Sequence, residues 1–241
     1  MIRVIVSGAA GHMGRILTEK IALDTELVLA GSVDPNGEGM AKDLASCTAE
    51  ADAVIDFSNH LGTEALLTEA VKRGLPVVLC TTGHTEEERK LITDASGKIP
   101  VFLSANMSLG VAILMRLVRQ VAAQFPSDAE IVETHHRRKL DAPSGTAMAL
   151  ARAIQAERPG YEIVTGRSGM QKRQPTDISV QAVRMGNIAG IHEVFFGSDT
   201  ETLTLKHEAH DRGVFADGAI AAAKFIAGKP AGLYDMEDLL S

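Results

Sequence analysis

The segment Val4-Ile5-Val6-Ser7-Gly8-Ala9-Ala10-Gly11-His12-Met13-Gly14-Arg15 constrains the fold of this chain more than any other. An apolar run, Ile2 with Val4 to Val6, reads as a buried parallel strand, and it breaks into glycines spaced G-x-x-G-x-x-G. A helical pattern follows through Ile16, Leu17, Lys20 and Ile21. The chain returns as a second strand, Leu27 to Val33, ending in Asp34, 20 residues after Gly14. Glycines permit a tight turn and close approach to a pyrophosphate, the helix N-terminus faces the phosphates, and an acid at that distance bonds the adenosine ribose hydroxyls. A glycine triplet alone is more often a turn than a site. With the strand, the helix and the acid in place, nucleotide binding is the favoured reading.

The alternation continues. Ala53 to Phe57 reads as a strand, Thr63 to Arg73 as a helix, and Pro76 to Cys80 as the next strand. Thr85-Glu86-Glu87-Glu88 is a capping-box start for a helix reaching about Ala95, and Pro100 to Ser104 makes a fifth strand. This rhythm predicts an α/β chain with a Rossmann-type, doubly wound parallel sheet. Ligands of such sheets gather at the carboxyl ends of the strands. Here those ends are Gly8, Ala9, Ala10, Gly11, His12 and Met13; Asp34; Phe57 and Ser58; Cys80, Thr81 and Thr82; and Ser104, Ala105, Asn106 and Met107. After Ala105 the pattern changes. A long apolar helix (Val111 to Phe125) leads on to strand-like stretches at Ile178–Arg184, Ile191–Phe196 and Thr202–His207, which predict a smaller α+β domain. Arg167 to Pro175 is a polar loop, either a lid or a surface connection. Phe215 to Ala227 reads as an Ala-rich helix returning to the first domain.

The most concentrated chemistry lies in His135-His136-Arg137-Arg138-Lys139-Leu140-Asp141-Ala142-Pro143-Ser144-Gly145-Thr146. Five consecutive residues able to carry positive charge stand in a chain of formal net charge −7. Pro143 to Thr146 then opens a helix with Ala147, Leu150, Ala151 and Ile154 on one face. The alternating strand Ile131 to His135 puts Glu133 and His135 on one side and Val132, Thr134 and His136 on the other. A nucleic-acid patch is disfavoured by Glu130, Glu133 and Asp141 and by the absence of interleaved aromatics. A solvated loop accounts for Arg137 and Arg138, but not for two histidines delivered by a strand. A pocket for a small anion, with proton-transfer groups beside it, accounts for the whole segment.

Composition sets the class. At 241 residues the chain can bury a substantial core, and no apolar run approaches a membrane span, so no membrane partner is expected. The start enters a strand directly, which predicts no secretory signal. Cys47 and Cys80 are isolated, which predicts no disulfide and a reducing cytoplasm. The eight histidines form no metal-ligand spacing, so no metal is expected. The acidic balance argues against DNA or RNA.

These residues together resemble the 4-hydroxy-tetrahydrodipicolinate reductase (dihydrodipicolinate reductase) family of lysine biosynthesis. The resemblance covers essentially the whole chain and rests on Gly8 to Arg15, Ile55-Asp56-Phe57-Ser58, Thr81-Thr82-Gly83, Ala105 to Gly110 and, above all, Glu133 to Ala147. It implies a Rossmann-type domain of residues 1–106 and 212–241. It also implies a substrate-binding and oligomerisation domain, residues 107–211, whose sheet builds a homotetramer. The implied substrate is a small cyclic dicarboxylate that loses water to give a conjugated imine, which NADH or NADPH then reduces. His135 and Lys139 match the family's proton-donating pair, His136 a substrate-binding position, and Gly145-Thr146 a carboxylate-binding turn. The chain departs from common family residues at Cys80 (often glycine), at His84 and Met107 (often aromatic), and at Pro35, where an arginine can follow the acid. Asp34 favours NADH, because a carboxylate repels a 2′-phosphate and Pro35 offers neither charge nor N–H. The competing readings are another small Rossmann dehydrogenase of amino-acid metabolism and a non-catalytic nucleotide-sensing subunit.

Overall fold

In the computed structural model, which describes all 241 residues, the glycine turn joins β1 (Ile2–Ser7) to α1 (His12–Leu23). There follow β2 (Leu27–Val33), β3 (Ala53–Asp56), α2 (Thr63–Arg73), β4 (Val77–Leu79), α3 (Glu86–Ser96) and β5 (Pro100–Leu103). The next stretch holds α4 (Leu109–Gln124), β6 (Asp128–His135), α5 (Gly145–Glu157), β7 (Glu162–Thr165), β8 (Asp177–Arg184), β9 (Gly190–Gly197) and β10 (Thr202–Ala209). The chain ends with α6 (Gly213–Ile226), β11 (Gly232–Tyr234) and α7 (Met236–Leu239). Two units result, residues 1–109 with 213–241 and residues 110–212.

The first unit is a six-stranded sheet in the order β11-β5-β4-β3-β1-β2, parallel throughout. Its strands are apolar on both faces, as a sheet covered on both sides requires. Ile5, Val54, Val77, Leu79 and Val101 pack with Leu66, Leu67 and Ala70 of α2 and Ile92 and Ala95 of α3. Phe102 turns to the opposite face and meets the Phe225 ring of α6 edge-on, centroids 6.3 Å apart. Thr85 and Glu88 form the expected capping box at the start of α3.

The β2–β3 connection carries no helix. Pro35-Asn36-Gly37-Glu38-Gly39 offers no helical period, and residues 34–52 instead lay Leu44 and Cys47 into the α2/α3 side of the core. Arg73 in the last turn of α2 fastens this loop, donating to the carbonyls of Cys47 at 3.0 Å and Ala49 at 2.5 Å. Both cysteines are buried and unpaired.

The second unit is a mixed five-stranded sheet, ordered β10-β9-β6-β8-β7, with β6 parallel to β8 and antiparallel to β9. Both of its helices lie on one face. Leu114, Val118 and Ala122 of α4 and Leu150, Ala151 and Ile154 of α5 cover Ala129, Ile131, Ile178, Val180, Val194 and Phe196. The stretch between Arg167 and Pro175 is an anchored surface connection. Arg167 bonds Glu130 at 3.1 Å, and Arg173 bonds Asp128 at 2.7 Å and Glu130 at 3.2 Å. Strands β7 and β11 and helix α7 have no counterpart in the sequence reading, because three or four residues are too few to establish a period.

Gly14 and Gly218 mark the closest backbone approaches. A Cβ on Gly14 would stand 2.2 Å from the Gly8 carbonyl oxygen, so α1 can leave the glycine turn only without a side chain there. A Cβ on Gly218 would stand 1.6 Å from the Met107 carbonyl oxygen. Gly218→Ala should therefore destabilise the chain by about 1–3 kcal/mol, the usual cost of overpacking. Gly97→Ala, whose Cβ would rest 3.5 Å from the nearest atom, is the control and should be near neutral. Thermal unfolding midpoints of the two variants check this.

Candidate active site

Strand β6 alternates strictly, with Ala129, Ile131, Glu133 and His135 buried. A carboxylate thus occupies a position that the pattern reserves for an apolar residue. Burying it is costly unless it is paired and fully hydrogen-bonded. Glu133 meets that condition with four donors. Arg184 of β8 forks onto it, Nη2 to Oε1 at 2.7 Å and Nη1 to Oε2 at 2.9 Å. The Ser144 N–H reaches Oε1 at 3.0 Å, and His135 Nδ1 lies 2.5 Å from Oε2. Burial pushes the Glu133 carboxyl up, but the bonds from Arg184, His135 and Ser144 outweigh it, so it lies below its ordinary value.

An ionised carboxylate only accepts, so it fixes the proton of His135 on Nδ1 and leaves Nε2 as the working nitrogen. Burial lowers the His135 pKa, opposed by Glu133 and reinforced by Lys139 and Arg184. Lys139 Nζ sits 2.8 Å from Asp141 Oδ1 in the turn that follows β6. His136 is half-buried, with its main-chain N–H on the Ile188 carbonyl at 2.8 Å and its Nδ1 enclosed without a partner. Arg137 and Arg138 are exposed, and Arg138 bonds Asn187.

Ser144 caps α5, its Oγ accepting the Ala147 N–H at 3.2 Å. Gly145 and Thr146 supply the next N–H groups, at the positive end of the helix, where an anion is favoured. A Cβ on Gly145 would meet no atom of this chain, so the space beside it is open. One short stretch of the second unit therefore gathers an oriented imidazole, an ammonium and an anion-favouring helix start.

In the first unit, Gly8 to Met13, Asp34, Cys80 to Thr82 and Ser104 to Met107 all lie where β1, β2, β4 and β5 end, along one edge of the parallel sheet. Gly8, at φ +78°, lies so close to β3 that a Cβ would stand 2.6 Å from the Phe57 carbonyl oxygen. No side chain caps the N-terminus of α1, which follows at Gly11. Asp34 is nearly buried, Oδ2 accepting Ala10 N–H at 3.1 Å and Oδ1 accepting Asn36 N–H at 2.9 Å. A cavity of about 400 Å³ opens beside it, walled by Val33, Leu44, Ala45, Ala65 and Leu66, with Lys42 and Asn59 at hand. A glycine cradle, an uncapped helix start, a carboxylate and an apolar cavity in this order fit a nicotinamide dinucleotide, with the cavity suited to its adenine. Thr82 and Ala105 are exposed, Ala10, Met13, Ser104 and Asn106 partly so, whereas Ala9, Cys80 and Met107 are buried. Burial, with Asp56 nearby, pushes the Cys80 thiol well up, so it stays protonated.

Several residues of both sites escaped the sequence reading. Asp56 takes the Thr81 hydroxyl on Oδ2 and the Ser58 hydroxyl on Oδ1, both at 2.6 Å, and so ties the turns after β3 and β4 together. In the sequence it stands in Ile55-Asp56-Phe57-Ser58, a carboxylate ending an apolar strand, and nothing local marks its two hydroxyl partners. Arg184 and His192 lie 51 and 59 residues beyond Glu133 in sequence and reach it only through strand pairing. Leu44 and Leu66 of the cavity also belong to the core, and no local signal in the sequence sets them apart. No cluster of His, Cys, Asp or Glu has the convergence of a metal site, and no helix is long and apolar enough to cross a membrane.

Comparison with known proteins joins the two units in one family. The family model described as dihydrodipicolinate reductase, N-terminus, matches residues 2–107, and that described as dihydrodipicolinate reductase, C-terminus, matches residues 110–240. The 4-hydroxy-tetrahydrodipicolinate reductase of Caldanaerobacter subterraneus subsp. tengcongensis is 44% identical, over 100% of this chain and 98% of that protein. The Caulobacter vibrioides protein of the same name is 43% identical, over 99% of this chain and 97% of its own length. Among solved structures, a dipicolinate-bound dihydrodipicolinate reductase from Paenisporosarcina sp. TG-14 superposes with a TM-score of 0.84 at 24% identity, covering 98% of this chain and 97% of that one.

The buried carboxylate generates a test. Glu133→Gln leaves Arg184 without its counter-charge, and breaking a buried pair from one side costs about 3–5 kcal/mol. Because the Glu133 carboxyl lies below its ordinary value of 4.5, its contribution to stability is complete above that value and is lost as pH falls through the lowered one. Chemical denaturation across the acid range should show a less stable variant whose stability declines less on acidification than that of the native protein.

Proposed function

This chain belongs to the dihydrodipicolinate reductase family, and from that premise we propose that it is a 4-hydroxy-tetrahydrodipicolinate reductase. The reaction converts (2S,4S)-4-hydroxy-2,3,4,5-tetrahydrodipicolinate, with loss of water, to (S)-2,3,4,5-tetrahydrodipicolinate in the diaminopimelate route to lysine. The observation that carries the reading is His135 held through Nδ1 by a buried carboxylate, within the turn that also bears Lys139 and the α5 start. The turn Gly8 to Met13 and Asp34 would hold the phosphates and ribose of a nicotinamide dinucleotide, which would supply the hydride.

The chain's own residues do the rest. One substrate carboxylate sits on the Gly145 and Thr146 amides, where the helix end favours an anion. The other faces His136 and Lys139. The Lys139 ammonium and the His136 ring hold the dicarboxylate in register, and the ammonium offsets charge that builds on the ring as it is reduced. A proton can reach the ring from Lys139 Nζ, or from His135 Nε2 once that nitrogen has taken up a second proton to give the imidazolium. Glu133 keeps His135 in one tautomer and stabilises its protonated form. Holding the ring in a single orientation supplies further rate.

The second unit also supports a homotetramer. Val132, Ile191 and Phe195 lie on the sheet face opposite α4 and α5, and a second copy of the chain would cover them. The two buried, unpaired cysteines suit a reducing cytoplasm. NADH is the preferred cofactor, since the Asp34 carboxylate can bond two ribose hydroxyls but repels a 2′-phosphate. Lys42 Nζ is occupied on the Pro35 carbonyl at 2.9 Å, and Arg15 is exposed on α1.

Purified protein should oxidise NADH only in the presence of the hydroxylated tetrahydropyridine substrate. His135→Ala and Lys139→Ala should each lower kcat about a hundredfold or more, the scale for losing a positioned proton donor, with cofactor affinity unchanged. Native turnover in both variants would contradict the assignment. Steady-state kinetics with each cofactor should give a higher kcat/KM for NADH, and a several-fold advantage for NADPH would refute the role given to Asp34.

A further inference from the structure

Beside Glu133 the second sheet carries two more polar side chains on its covered face. Glu133 on β6 is in register with His192 on β9, and His192 with His207 on β10. The rung next to it, Ile131–Val194–Leu205, is wholly apolar and belongs to the core. His192 is only 4% exposed, where a valine or leucine would continue the pattern. Burial drives its pKa to about 4, with His135 adding to the effect, so the ring is neutral under ordinary conditions. A neutral imidazole in such a place loses its hydration and needs compensation from a specific bond.

That bond goes to Ser144. His192 Nε2 lies 3.2 Å from Ser144 Oγ, and the His192 ring meets the His135 ring edge-on, centroids 5.3 Å apart at 75°. Ser144 is thereby held at three points. Its N–H is on Glu133, and its Oγ is shared between the Ala147 N–H and His192. The residues that follow directly are Gly145 and Thr146. On the other side of His192, Gly190 leaves the space the His135 ring uses, since a Cβ there would stand 3.0 Å from His135 Nε2.

We propose that His192 is a positioning residue for the substrate: through Ser144 it fixes the first turn of α5, on which a substrate carboxylate binds, and its ring edge sets the plane of His135. It touches neither substrate nor cofactor in this account. Glu133 anchors the main chain of Ser144 and His192 anchors its hydroxyl, so the carboxylate-binding amides and the proton-donating imidazole are aligned from one buried row. The inference rests on the carboxylate site given to Gly145 and Thr146.

The test uses the full-length protein with pyridine-2,6-dicarboxylate as probe. His192→Phe keeps the ring and removes Nε2, and His192→Gln restores a polar group at similar reach. His192→Phe should raise both the substrate KM and the inhibition constant of the dicarboxylate about tenfold, with NADH affinity within twofold and kcat falling less than KM rises. His192→Gln should recover most of the loss. A purely structural role would lower the melting temperature and the active fraction but leave KM and the inhibition constant in place, and that outcome overturns the proposal. So does a glutamine variant as weak as the phenylalanine one. Should His192→Phe not fold, His192→Gln against His192→Asn gives the same contrast, because asparagine falls one methylene short of Ser144. Failure of the native protein to bind the dicarboxylate would instead refute the carboxylate site itself.

Discussion

A carboxylate buried in the middle of a sheet sets the terms for the second unit. Glu133 has no contact with water, so every lone pair it keeps must be met by a donor the fold brings to it. Arg184 neutralises it, the Ser144 N–H fixes where α5 begins, and His135 is left with one proton site. The energy invested in burying one charge is in this way converted into the placement of two functional features, an imidazole and a helix start. Neither would be fixed as well by a solvated loop.

The first unit achieves placement differently, by backbone proximity. Parallel strands end on one edge, and Gly8 and Gly14 let the chain turn against β3 and run into α1 at distances no side chain allows. Asp56 then secures the turns after β3 and β4 with two short hydroxyl bonds. Asp34 is steadied by the Ala10 and Asn36 amides, so its carboxylate is held in one orientation at the sheet edge.

What could be read from the residues alone was what local chemistry dictates. The strand, glycine turn and helix at the start, the capping box at Thr85 and the helix opening at Ser144 each carry their signal within a few residues. The candidate site was legible as one segment, since His135, Lys139 and Gly145 are near neighbours. Its supports were not. Arg184 and His192 come to Glu133 through the β8–β6–β9 pairing, and a long-range register leaves no local trace. In the sequence Glu133 stands as an acidic neighbour of a basic run. The alternation Ala129-Ile131-Glu133 did place it on the apolar face, and a buried carboxylate demands a cation from somewhere. The β2–β3 link shows the converse: Pro35, Gly37 and Gly39 leave no helical period, and the link runs without a helix.

The central claim is that Glu133 holds His135 with its proton on Nδ1 and Nε2 facing the substrate. Nitrogen NMR of histidine-labelled protein tests this most directly, because the two neutral tautomers differ in which ring nitrogen carries hydrogen. The account predicts His135 as the Nδ1–H tautomer at neutral pH, with its Nε2 resonance shifting when pyridine-2,6-dicarboxylate is added. A His135 found as the Nε2–H tautomer, with no response to the dicarboxylate, would contradict it.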